Sequence, residues 1–216
     1  LRLFTQPYMT VYQPLTVLSL AFQYRLSGMD PFFFHLGNLL LHCANVLLAF
    51  ELSRRLGLSI VWACATAVLF AVHPGRVESV AWITERKDVL FAFFYLLGLN
   101  LHFAGDAPEA PQIRRSVAIC VLLGLLSKPT TSSFPFALAV LNRFKNDVSL
   151  LKTMKQCRFL FILIGIVGVL AVSGAPAESQ RNQYHDASRS SLLDRIERVF
   201  ISTGALIRCV AVPIDI

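Results

Sequence analysis

The stretch HPGRVESVAWITERKDVL, residues 73–90, gathers Glu78, Glu85, Arg86, Lys87 and Asp88 within eleven positions. Arg86 and Lys87 are the side-chain types that hold phosphate, the guanidinium as a two-pronged donor and the ammonium as a point charge. The same cluster also reads as a charged helix end, with Glu85 and Asp88 neutralising Arg86 and Lys87, as is routine beside an apolar segment. Lys128, in LLSKPTTSSFP, lies between two apolar runs. An ammonium there either snorkels to water or meets an anion. The sequence contains no Gly-rich phosphate loop, no nucleophile elbow and no cluster with metal-ligand spacing.

A second set of polar residues lies within an apolar run. His35, Asn38, His42 and Asn45 are spaced by three, four and three, so one helical stripe carries all four. In a bilayer such a stripe faces the bundle interior or a water-filled cavity, and its simplest use is to hydrogen-bond neighbouring helices.

The elements that must position these residues are membrane helices. Hydrophobic residues make up 55% of the 216 and charged residues 15%, with a mean hydropathy of +0.60. A soluble domain keeps about a quarter of its residues charged, so this chain is expected to fold as an all-α, polytopic transmembrane bundle. Residues 1–31 read as an outward segment with an amphipathic surface helix at Leu15–Leu26, and residues 32–216 as one helical membrane domain. About seven spans are expected, near 32–52, 57–72, 89–104, 117–126, 134–141, 159–173 and 191–212. The two short runs are read as separate helices meeting at SKPTTS. Ser191 and Asp194 have capping-box spacing for the last helix. The chain begins at Leu1 rather than Met and is read as a fragment of a longer one.

Charge sets the orientation. The net charge of +7 could suggest nucleic acid, but the basic residues sit at the ends of apolar runs, so no nucleic-acid role is expected. Alternating the spans puts loops 53–58, 105–115 and 143–158 on one side, with nine Lys/Arg in 33 residues. That side is expected to be cytoplasmic, and 73–88 and 128–133 then face outward. The five cysteines are expected to be free, buried thiols.

Four stretches resemble the transmembrane and tetratricopeptide-repeat protein family, relatives of the O-mannosyltransferases with the GT-C membrane fold. They are PYMTVYQPLTVLSLAFQYRLSGMDPFFFHLGNLLLHCANVLL, LFAVHPGRVESVAWITERKDVLFAFFYLLGL, LLGLLSKPTTSSFPFALAVL and RVFISTGALIRCVAVPID. The resemblance implies a multi-pass transferase, in the endoplasmic reticulum membrane of a eukaryote or the inner membrane of a bacterium. It would move a sugar, mannose in this family, from a polyprenyl-phosphate carrier to a protein hydroxyl. Carried over by motif, Glu78, Arg86, Lys87, Asp88 and Lys128 would bind the lipid phosphate and substrate, and His73 would shape the loop. The implied partners are the bilayer, the lipid-linked sugar and a protein acceptor. The acidic general base is expected upstream of Leu1 and the tetratricopeptide repeats beyond Ile216. Pro129 departs from the family, which tends to carry Glu after this lysine. A non-catalytic membrane module that anchors a repeat domain is the alternative, and a transporter comes third.

Overall fold

The computed structural model describes residues 13–104 and 115–173. Within them the chain is helical: α1 (Pro14–Ser27), α2 (Pro31–Arg55), α3 (Ile60–Val72), α4 (Val77–Ala81), α5 (Arg86–Phe103), α6 (Arg115–Ser127), α7 (Phe134–Asn146), α8 (Leu150–Gln156) and α9 (Arg158–Ser173). Three 3-10 turns, Pro74–Arg76, Ile83–Glu85 and Pro129–Ser133, punctuate the bends.

Local chemistry sets the boundaries. Asp30 caps α2 by accepting from Phe32 N at 3.0 Å, and Pro31 supplies the preset φ of a first helical position. At the other end Gly57 takes φ +95°, which lets Leu58 N reach back to Ser53 O at 3.1 Å, while Arg54 and Arg55 face the negative end of the helix dipole. His73 and Lys128 each precede a proline and are extended, so α3 and α6 stop where the prolines require.

The helices alternate in direction. Asn38, Asn45 and Leu48 of α2 meet Arg86, Val89 and Asn100 of α5 in the same order, so those two helices run parallel, and α3, which precedes α5 in the chain, returns along α2. α6 packs along α5 in the opposite sense, bringing Lys128 back to Asp88. The core between α5, α6, α7 and α9 holds Phe103, Val117, Val121, Phe134, Leu138 and Leu160. Phe134 is fully buried edge-on to Tyr95, where Gly98 makes room for its ring.

At about 1.5 Å per residue the 25-residue α2 reaches about 37 Å, enough for a hydrocarbon core of ~30 Å. Among the described residues it is the one helix long and apolar enough to cross a membrane. The number rises to three if α3 with the 74–81 segment (bent by 56°) and α8 with α9 (bent by 58°) each count as one span.

Several expectations change. Leu15–Leu26 is helical, but its apolar residues are spread around the axis instead of forming one face. Its first turn is buried, with Thr16 Oγ1 donating to Ser127 O at 3.2 Å, so α1 is docked on α6 as well as lying beside the bundle. The basic segment 143–158 is largely helical: α7 continues to Asn146, Asp147 in the left-handed region ends it, and α8 follows. The two short runs do form separate helices, joined by the 3-10 turn at 129–133. Cys120 and Cys157 are buried free thiols, whereas Cys43 and Cys64 are exposed on apolar helices. The helix expected at 191–212, its capping residues, the 105–114 loop and Cys209 lie outside the described residues.

Candidate functional site

The polar stripe of α2 faces inward from its second member on. Asn38, His42 and Asn45 are buried and His35 is exposed. Each buried member reaches a backbone carbonyl on another segment: Asn38 Nδ2 donates to Trp82 O at 2.9 Å, His42 Nε2 lies 3.1 Å from Ala71 O, and Asn45 Nδ2 donates to Val89 O at 2.9 Å. These bonds tie α2 to α3, α4 and α5, the interhelical use expected of the stripe.

Asn38 also fixes Arg86. Arg86 Nε donates to Asn38 Oδ1, and Nη2 donates to Gln23 Oε1 of α1 and to Phe34 O at 2.9 Å. Only 5% of the residue is exposed. This corrects the sequence reading, which left the guanidinium at an aqueous edge for a phosphate. The fork is turned inward and all its acceptors are neutral. Gly37 is part of the arrangement, since a Cβ there would lie 2.8 Å from Arg86 Nη2 and 2.9 Å from Gln23 Oε1.

The neighbouring charges pair in part as a charged helix end does. Lys87 Nζ pairs with Glu85 Oε1 at 2.7 Å, as a local helix end would. Asp88 turns away from Arg86 and forms an ion pair with Lys128, from 40 residues further along, and its second oxygen is 3.5 Å from Ser79 Oγ. Glu78 is exposed, with no side-chain partner among the described residues. His73 Nδ1 accepts from Gly75 N at 3.1 Å, which braces the 74–76 turn.

Glu85, Lys87, Asp88 and Lys128 therefore share one end of the bundle, while Arg86, at the start of the same helix, is bonded to α1 and α2. Lys128 and Lys87 can compensate negative charge there, while Asp88 holds Lys128 in place. Gln23, Gly37 and Ser79 were missed in the sequence because each is an ordinary helix residue until a partner from another element arrives. No group of three or more His, Cys, Asp or Glu is placed to hold a metal among the described residues.

The chain is 42% identical over 87 residues to the mouse protein O-mannosyl-transferase TMTC1, covering 40% of this chain and 9% of that protein. It is 41% identical over 86 residues to Tmtc1 of Drosophila melanogaster and 32% identical over 112 residues to human TMTC3. The chain is related to the TMTC protein O-mannosyl-transferases. That is the family its motifs resemble. The chain spans only about a tenth of the length of the TMTC proteins it matches. No family model and no solved structure matches it.

Proposed function

We propose that this chain is the membrane part of a multi-pass, GT-C-type glycosyltransferase that moves mannose from a polyprenyl-phosphate carrier to a protein hydroxyl. The observation that carries the reading is the convergence of Lys128, Asp88 and Lys87 at one end of a membrane bundle related to protein O-mannosyl-transferases. When the sugar leaves, charge accumulates on the carrier phosphate, and prepositioned cations stabilise it without having to reorganise. Lys128 and Lys87 take that role, Asp88 positions Lys128, and exposed Glu78 lies where the acceptor approaches. The general base is supplied by the outward segment upstream of Leu1. The basic ends of α2, α6 and α7 face the cytoplasm, so the site opens to the lumen or periplasm. The seven-span scheme belongs to this reading, with the seventh helix at 191–212.

A second reading, a non-catalytic module anchoring a repeat domain, is favoured by one observation: the best phosphate ligand of the cluster, Arg86, is buried, with Nε and Nη2 donating to groups inside the protein. The deciding assay is mannose transfer by the full-length protein from a polyprenyl-phosphate donor, with a size-exclusion profile for each variant. A lost charged hydrogen bond of about 1.5–3 kcal/mol corresponds to a loss of roughly 10- to 100-fold, expected for Lys128→Gln and Lys87→Gln. Parent-like transfer by both, in folded protein, assigns the cluster to the module reading.

A further inference from the structure

An open groove of about 310 Å3 lies between α2, α3 and α4, close to the lower end of ligand sites, which run from ~300 Å3 upward. Its walls are mainly apolar, including Leu39, Val72, Val77 and Val80. Leu39, Val72 and Val77 are exposed, so the groove opens sideways, toward lipid in a membrane-spanning chain. His42 is a wall residue, with Nε2 on Ala71 O and its ring stacked on Phe70. Arg76 is the cation on the lining. Its Cζ lies 4.8 Å above the Phe70 ring, and no carboxylate pairs with it among the described residues. A ring contact occupies the face of a guanidinium and leaves the N–H edge available for an anion. α4 separates this groove from the candidate site: Val77, Val80 and Ala81 line it, while Ser79 turns away to Asp88.

We propose that the groove holds one chain of an anionic phospholipid of the bilayer, with the headgroup on Arg76. The apolar walls accept an acyl chain. The unpaired charge lies three residues past the His73-Pro74 break that ends α3, a helix end of the kind at which arginine meets lipid headgroups. The inference rests on the membrane reading and not on transferase activity, so it survives if no sugar is transferred.

The test uses Trp82, which follows Ala81 of the groove wall and is exposed. Trp62→Phe leaves it as the sole tryptophan of this segment; tryptophans elsewhere in the full-length protein are replaced by Phe. The protein is reconstituted in phosphatidylcholine vesicles carrying either brominated phosphatidylserine or brominated phosphatidylcholine at matched bromine content. One partly wet ion pair between a guanidinium and a headgroup gives up to about a fivefold preference for the anionic lipid. Brominated phosphatidylserine should therefore quench Trp82 at about one fifth of the mole fraction that the phosphatidylcholine probe requires. Arg76→Gln should abolish the difference, and Arg76→Lys should keep it, which separates loss of charge from loss of fold. Equal quenching by the two headgroups in the parent overturns the site, as does a preference that persists in Arg76→Gln. Displacement of the probe by polyprenyl phosphate at lower concentration than by unlabelled phosphatidylserine also overturns it, by giving the groove to the carrier.

Discussion

Arg86 Nε donates to Asn38 Oδ1 across the α2–α5 contact, and both side chains are buried. The pair joins a residue that looked like a ligand to one that looked like structural glue, and Gln23 brings α1 into the same node. Removing the guanidinium leaves Asn38 Oδ1 and Gln23 Oε1 short of a donor, each costing about 1–3 kcal/mol if it stays dry, while Phe34 O keeps its helical bond. Arg86→Ala is therefore expected to lower the melting temperature in detergent more than Lys87→Ala, with Arg86→Lys between them. A parent-like melt for Arg86→Ala contradicts the buried node.

Gly37 tests the same node from the backbone side. A methyl there meets Arg86 Nη2 and Gln23 Oε1 inside van der Waals distance; Gln23 can give way, but Arg86 moves only by losing its bonds to Asn38 and Phe34, so the clash should outweigh the helix gain of an alanine by roughly 1 kcal/mol. At Gly165 of α9 an added methyl would have nothing within 4 Å, so Gly165→Ala should gain the ordinary helix preference of about 1 kcal/mol at most. Thermal melts of the two variants should move in opposite directions.

What the sequence made legible was local. The spacing of Asn38, His42 and Asn45 lies within one helix, so period alone placed them on one inner face. Proline after His73 and Lys128 marked two helix ends for the same reason. The Asp88–Lys128 pair spans 40 residues and has no local signature, so a neighbouring-charge reading assigned Asp88 to Arg86 or Lys87 instead. The burial of Arg86 was hidden because it depends on α1 docking beside Gly37. The 150–156 helix was hidden because Lys152 and Lys155 made it look like part of a basic loop. Span number was the weakest inference, since short apolar helices and bent pairs carry the same composition as complete spans.

The stripe should also show a rank order. Asn38 makes three side-chain hydrogen bonds, one to a buried charge, whereas Asn45 makes one and leaves its Oδ1 unpaired. Interhelical bonds in membranes average about 0.6 kcal/mol, so Asn45→Leu should cost about 1 kcal/mol or less. Asn38→Leu should cost several times more, because it also strips a partner from Arg86. Leu47→Val, on the exposed side of α2, should barely register. Detergent melts in any other order would mean that the stripe does not carry the interface.

The helix directions give a topology that can be labelled. Glu78 and Thr130 lie at the end where Asp88 meets Lys128, and Arg54 and Lys145 lie at the other. Single cysteines at those positions in a Cys-free background should react with impermeant reagent as two pairs, 78 with 130 and 54 with 145. The first pair should be external and the second cytoplasmic, because the second end holds the dense basic charge. Labelling of 78 and 54 from one side contradicts the alternation.

Asp88 and Lys128 allow structure to be separated from chemistry. Their side chains are 21% and 28% exposed, so the pair is partly shielded but still wet, and its coupling in a double-mutant cycle should be roughly 1 kcal/mol. Asp88→Asn leaves an unpaired ammonium, and Lys128→Gln leaves an unpaired carboxylate. The combined variant removes both charges and keeps neutral groups able to hydrogen-bond. Its melting temperature should therefore lie at or above those of the single variants. Transfer behaves differently if Lys128 meets the carrier phosphate, because no neutral pair replaces a cation there. The double variant should then remain as inactive as Lys128→Gln while regaining stability. Recovery of transfer together with the melt would reduce the pair to a strut between α5 and the 129–133 turn.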